Sequence, residues 1–115
     1  SSYQRPNPKA CHVEAKVVGH YTNSILATTE AKQKGFDEAL LTDINGYVAE
    51  GPGANFFYEK DGKLFTAPLG NILAGITRAT VFEIAKEVFE LGIKGAINPS
   101  ADSAHFSIIY GRFLL

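Results

Sequence analysis

Three places in the chain combine residue types with real chemical capacity. Lys16 stands among apolar residues, in Ala15-Lys16-Val17-Val18-Gly19, and a lysine amine can condense with a carbonyl. Glu50 ends a short β-favouring run and opens Glu50-Gly51-Pro52-Gly53. If buried, its carboxylate needs a cationic partner, because an unpaired charge is costly to desolvate, and a protonated ring nitrogen would serve. Gly75-Ile76-Thr77 leads into an apolar stripe of helical period. Exposed amides at a helix start, together with the positive end of the helix dipole, make a phosphate site that glycine leaves open. Each feature taken singly has a plain alternative: a surface lysine, a solvated strand-end carboxylate, and an ordinary helix cap at Thr77.

Other candidates carry less. Cys11, His12, His20 and His105 show no structural zinc spacing, so no metal site is expected, and the lone cysteine lacks a nucleophile signature. The aromatics Tyr47, Phe56, Phe57, Tyr58 and Phe65 lack a basic surround, which favours core packing over base stacking.

The elements that must position these groups follow from periodicity and turn chemistry. Arg5-Pro6-Asn7-Pro8 reads as a loop or linker, and His12–Val18 carries a loose extended signal. A helix is predicted over Tyr21–Lys34, with Ile25, Leu26, Ala27 and Ala31 on its apolar side and Gly35 as its terminator. Two hairpins follow: Ala39–Thr42 with Tyr47–Ala49 around a type I′ turn at Asn45-Gly46, and Asn55–Glu59 with Lys63–Thr66 around Asp61-Gly62. A second helix is capped by Thr77, striped by Val81, Ile84, Ala85, Val88 and Phe89, and stopped at Gly92. The tail ends in two apolar runs, Phe106–Tyr110 and Phe113–Leu115, with the character of a strand that wants a partner. The fold class is α/β in the sense of a mixed α+β arrangement, with two β-hairpins and two main helices.

With 115 residues the chain can bury one core but not two ordinary ones. Eleven Lys+Arg against twelve Asp+Glu give a net charge of −1, so nothing gathers phosphate backbones or anionic lipid, and no nucleic-acid or membrane partner is expected. One cysteine excludes an internal disulfide framework. No membrane span or secretion signal is read, which sets a cytoplasmic expectation. The absence of methionine suggests a piece of a longer product.

Read in order, the segments carry a family likeness. Arg5-Pro6-Asn7-Pro8-Lys9, Glu14-Ala15-Lys16-Val17-Val18-Gly19-His20-Tyr21-Thr22-Asn23-Ser24, Gly35-Phe36-Asp37-Glu38-Ala39-Leu40-Leu41, Asp43-Ile44-Asn45-Gly46-Tyr47-Val48-Ala49-Glu50-Gly51, Asn55-Phe56-Phe57 and Leu73-Ala74-Gly75-Ile76-Thr77-Arg78 resemble the branched-chain-amino-acid aminotransferases. The resemblance covers residues 5 to 91 and fades in the tail. It implies part of the large cofactor-binding domain of a fold-type IV enzyme using pyridoxal 5′-phosphate. Residues 1–10 would be a linker from an N-terminal domain, 11–92 the cofactor-binding core and 93–115 a divergent tail.

The resemblance also implies roles. Lys16 would hold the cofactor covalently and shuttle the substrate proton, Tyr21 would bond its phenolic oxygen, Glu50 would face the ring nitrogen, and Gly75, Ile76 and Thr77 would hold its phosphate. The implied reaction transfers the amino group of leucine, isoleucine or valine to 2-oxoglutarate, with amino acids and 2-oxo acids as small-molecule partners and self-association as a homodimer or higher. Without the rest of the site, the isolated chain should turn over little or no substrate. A non-catalytic fragment, a D-amino-acid aminotransferase and an aminodeoxychorismate lyase stay open on the same scaffold.

Overall fold

The computed structural model describes residues 1–60, 63–89, 92–95 and 105–109. In chain order the elements are a 3-10 turn at Val18–His20, α1 (Tyr21–Gln33), β1 (Leu41–Thr42), β2 (Val48–Glu50), β3 (Asn55–Lys60), β4 (Lys63–Thr66), α2 (Ile76–Phe89), β5 (Gly92–Gly95) and β6 (His105–Ile109). The strands form one mixed sheet in the order β1-β2-β3-β4-β5, with β6 added to β3. All pairs are antiparallel except β4 with β5, which the α2 crossover makes parallel. The mixed α+β class with two hairpins and two helices is thus observed.

Both hairpins form, though the first turns differently from expectation. Gly46 N–H donates to Asp43 C=O at 3.0 Å, so Ile44 and Asn45 are the central residues and Gly46 follows at φ +86°. The reason lies in Asp43, whose Oδ1 accepts from the amides of Asn45 (2.8 Å) and Tyr47 (3.0 Å) and fixes a side-chain-supported turn one residue early. In the second hairpin Phe57 pairs with Thr66 and Lys60 with Lys63; its Asp61-Gly62 turn lies outside the described residues. The apolar tail expected to seek a partner finds one, with Phe56 of β3 opposite Ile108 of β6.

The helices pack through different residues than their composition suggests. Helix α1 ends as predicted: Phe36 N–H reaches Ala31 C=O at 2.9 Å and Gly35 N–H reaches Lys32 C=O at 3.1 Å, a Schellman closure. Its buried face is Ser24, Ala27 and Ala31, while Ile25 and Leu26 point outward. Small residues let the helix approach Ala39 and Leu41 closely. Helix α2 begins at Ile76, so Gly75 and not Thr77 precedes its first turn, and Ile84 is exposed. Its inward face runs through Arg78, Phe82 and Ala85, with the Arg78 guanidinium 4.6 Å above the Phe82 ring. The side chains of Val88 and Phe89, and the stop before Gly92, lie outside the described residues.

Strand β3 is apolar on both faces because it is covered on both. Phe56 packs with Val48, Leu40, Tyr58 and Phe65, and Tyr58 stacks on Phe65 at 4.7 Å. Phe57 meets Phe82 of α2 edge-on, their centroids 6.3 Å apart. Tyr47, expected in the core, is exposed. Phe57 is 1% exposed, so Phe57→Ala is expected to cost about 3–5 kcal/mol in denaturant unfolding. A loss below about 1 kcal/mol would show that α2 is not seated on the sheet through this ring.

The opening segment is irregular, as its prolines require, but it is pinned to the fold. Gln4 bridges to Thr42, Arg5 N–H donates to Thr42 C=O at 2.8 Å, and Asn23 Nδ2 donates to Gln4 C=O at 2.7 Å. Arg5 is buried as a result.

Candidate active site

A cavity of about 200 Å³ opens between the start of α1, the β2–β3 hairpin and the start of α2. Its wall includes Lys16, Tyr21, Glu50, Gly75 and Thr77. Five of the six residues singled out in the sequence therefore converge, from three stretches of chain. Ile76 does not line the cavity, and its side chain is 72% exposed. Because Ile76 begins the helix, what it can offer an anion is its backbone amide, which has no partner one turn back within the helix.

Local turns deliver Lys16. The segment His12–Val18 does not form the extended stretch expected. Ala15 N–H closes on His12 C=O at 3.0 Å, Val17 N–H on Ala15 C=O at 2.9 Å, and Val17 is extended just before the 3-10 turn. Val13 is buried and anchors this loop, so Lys16 is carried on a pinned turn at the rim. Tyr21 follows at the first position of α1, and Ser24 lies one turn later on the same wall.

Glu50 is the electrostatic centre. It is 4% exposed, and its oxygens are gripped from three directions. Arg5 Nε lies 2.9 Å from Oε1, close enough for an ion pair although the Nε–H is not aimed for a hydrogen bond. The Leu73 amide donates to the carboxylate at 3.1 Å and 3.3 Å, and Asn55 Nδ2 donates to Oε2 at 3.2 Å. Burial pushes the carboxyl up to about 7, against the opposing pull of the Arg5 charge, the Leu73 amide and the Asn55 amide. The partners present only partly offset desolvation, and a further cation in the cavity would favour the ionised form.

A pH dependence follows. Glu50 takes up its proton more readily when folded, near 7, than in an unfolded chain, near 4.5. This stabilising contribution is complete below pH 4.5 and is lost as pH rises through 7. The difference corresponds to at most about 3 kcal/mol. Without any ligand, the melting temperature is expected to fall between pH 5 and 8, and Glu50→Gln should flatten that slope. An unchanged slope in Glu50→Gln would place its origin elsewhere.

Arg5, Asn55 and the Leu73 amide were not identified in the sequence as site groups. Arg5 sat in a proline-rich segment that reads as a linker, although a buried acid calls for a cation. Asn55 was legible in principle: closing Gly51–Ala54 as a four-residue hairpin loop puts Asn55 opposite Glu50. The loop is closed by Gly51 N–H on Ala54 C=O at 2.8 Å. Among the described residues no group of three or more His, Cys, Asp or Glu could hold a metal ion.

The residues present suit a phosphorylated, cationic-ring ligand. At one end of the cavity Gly75 and Thr77 stand at the start of a 14-residue helix, the electropositive end that receives anions. In the wall lies a buried acid short of positive charge, and at the rim an amine.

Comparisons with known proteins bear on this arrangement. Residues 1–101 match the amino-transferase class IV family. A branched-chain-amino-acid aminotransferase of Salmonella typhimurium is 43% identical over 89 residues, covering 76% of this chain and 29% of that protein. The branched-chain amino acid aminotransferase of Thermobaculum terrenum, solved in its PLP form, superposes with a TM-score of 0.84 at 37% identity, over 87% of this chain and 33% of that one. The branched-chain aminotransferase of Thermoproteus uzoniensis, solved with norvaline, gives 0.85 at 39% identity, over 93% and 38%. The chain thus spans about a third of the length of the relatives it matches.

Proposed function

The chain belongs to the amino-transferase class IV family, and on that premise we propose that it forms the cofactor-gripping part of an enzyme that transfers the amino group of leucine, isoleucine or valine to 2-oxoglutarate on pyridoxal 5′-phosphate. One observation carries the reading: Lys16, Tyr21, Glu50, Gly75 and Thr77 surround one cavity. A single cofactor accounts for all five, whereas a surface lysine, a strand-end acid and a helix cap would have no reason to meet.

When bound, pyridoxal phosphate supplies a conjugated ring that takes up the electron pair left when the substrate Cα–H bond breaks. The chain's own residues make that possible. Lys16 would hold the cofactor through its aldehyde carbon and, once the substrate amine has displaced it, its freed Nζ would carry the proton between the substrate Cα and the cofactor C4′. Glu50 would keep a proton on the ring nitrogen, and that cation would satisfy the charge its burial leaves unmet. Tyr21 would donate a hydrogen bond from its hydroxyl to the ring's phenolic oxygen. The first-turn amides of α2 and the Thr77 hydroxyl would hold the phosphate. Val13, Ala15 and Val17 give the same wall an apolar stretch that suits a branched side chain, with discrimination of about 1–3 kcal/mol per methylene. The names of the relatives support that substrate class. We place the protein among those that act on small amino acids and 2-oxo acids, and as a self-associating protein of the cytoplasm; among the described residues no helix is long and apolar enough to cross a membrane.

Borohydride reduction of the protein in the presence of pyridoxal phosphate is expected to fix one adduct, located by peptide mass at Lys16 and absent from Lys16→Arg. An adduct spread over surface lysines such as Lys9 and Lys34 would overturn the proposal.

A further inference from the structure

Asn55 occupies a position that the proposed reaction alone does not explain. It faces Glu50 across the hairpin as the residue pair of β2 and β3, and its Nδ2 donates both to Glu50 Oε2 at 3.2 Å and to the Leu73 carbonyl at 3.0 Å. Both partners are acceptors, so the amide can present only its nitrogen to them. The side-chain oxygen is thereby left turned toward Gly75. A Cβ placed on Gly75 would collide with that Oδ1 and come within 3.4 Å of Cγ. The residue before α2 is therefore glycine for want of space, and what fills the space is an amide whose orientation Glu50 dictates.

We infer that Asn55 is a positioning residue that ties the acid at Glu50 to the helix start at Gly75, so that the groups addressing opposite ends of the cofactor are held in one register. This inference rests on reading the cavity as the cofactor site. The tie has three points of attachment. Asn55 reaches β2 through Glu50, reaches the loop before α2 through the Leu73 carbonyl, and sets the closest approach of that loop through Gly75. Leu73 returns its own amide to Glu50, which closes a ring of contacts between strand, hairpin and loop. Sliding the helix start along the sheet would break a hydrogen bond to a buried carboxylate, and hydrogen bonds to charged groups are among the stronger ones. The other charged or titratable groups around Glu50 are Arg5 from the opening segment and Lys16, His20 and Tyr21 on the cavity wall, and none of these is altered in the test below.

The test uses the protein carrying this chain, free of cofactor, in three variants: Asn55→Ala, Gly75→Ala and the double variant. The readouts are the titration midpoint of Glu50, followed by infrared difference spectroscopy against Glu50→Gln, and the melting temperature. Asn55→Ala is expected to move the midpoint upward by about one pH unit through loss of one donor. Gly75→Ala should move it in the same direction although it touches no atom of Glu50, because its methyl displaces the Asn55 amide. The double variant should match Asn55→Ala alone in midpoint and melting, since alanine at 55 vacates the contested space.

An unmoved midpoint in Gly75→Ala, or summed shifts in the double variant, would overturn the inference. Should Gly75→Ala fail to fold, folding of the double variant supports the inference, and its failure alongside a folded Asn55→Ala refutes it. Because no cofactor is present, this result stands apart from the Lys16 adduct: absence of that adduct would remove the proposed function and leave the tie itself measurable.

Discussion

In the protein that carries this chain, Lys16→Ala is expected to reduce turnover of leucine with 2-oxoglutarate by about 10⁴-fold or more. On the proposed function two roles fall on the same nitrogen: attachment of the cofactor and movement of the Cα proton. General acid–base assistance alone contributes about 10²–10⁴-fold, and loss of the covalent anchor adds to it. The fold is expected to change little in stability, as for most exposed substitutions. Lys16 is exposed at the rim, and the loop beneath it is held by buried Val13 and by backbone bonds among His12, Ala15 and Val17. An unchanged melting temperature with abolished turnover, measured by glutamate formation, is the expected pair. Residual activity within about tenfold of the parent would remove Lys16 from the chemistry.

Glu50→Ala carries the second large effect, and it strikes both activity and stability. On the proposed function the loss of Glu50 weakens electrostatic stabilisation where charge develops, for which removal of one preorganised group costs about 10²–10³-fold. The same change leaves Arg5 buried without its counter-charge, an arrangement that costs about 3–5 kcal/mol. Glu50→Gln separates the two effects. It keeps the shape and removes the charge, and because the native carboxyl titrates near 7, the glutamine variant mimics its protonated form and should fold as well as the parent at pH 6 while remaining slow. If Glu50→Gln turned over at the parental rate, the ring-nitrogen role would be wrong. If Glu50→Ala melted with the parent, the Arg5 pairing would be energetically idle.

What the sequence disclosed followed physical rules that act over short range. Gly35 after a helical stretch located the end of α1, and alternation with turn residues located both hairpins, because hydrogen bonds between near neighbours decide those features. Lys16, Glu50 and Thr77, which line one cavity, were legible as candidates through residue type and motif order. What stayed hidden depends on contacts between distant segments. Arg5 meets Glu50 only because Gln4 and Arg5 pair with Thr42, and no local pattern encodes that pairing. Ile25 and Leu26 read as core by composition, yet the sheet approaches α1 so closely that Ala27 and Ala31 hold the buried face instead. Tyr47 is exposed for a related reason: Asp43 draws the turn back by one residue and sets the strand after it.

The docking of the opening segment bears on how such proteins can be recombined. Arg5 precedes the proline-rich stretch that looks like a natural seam, yet its charge is spent in the interior of the unit that follows. A chimera joined between Asn7 and Lys9 is expected to give Glu50 a foreign neighbour in place of Arg5, while one joined ahead of Gln4 would inherit the pair intact. Judged by electrostatics, Arg5 belongs with the residues that follow its prolines.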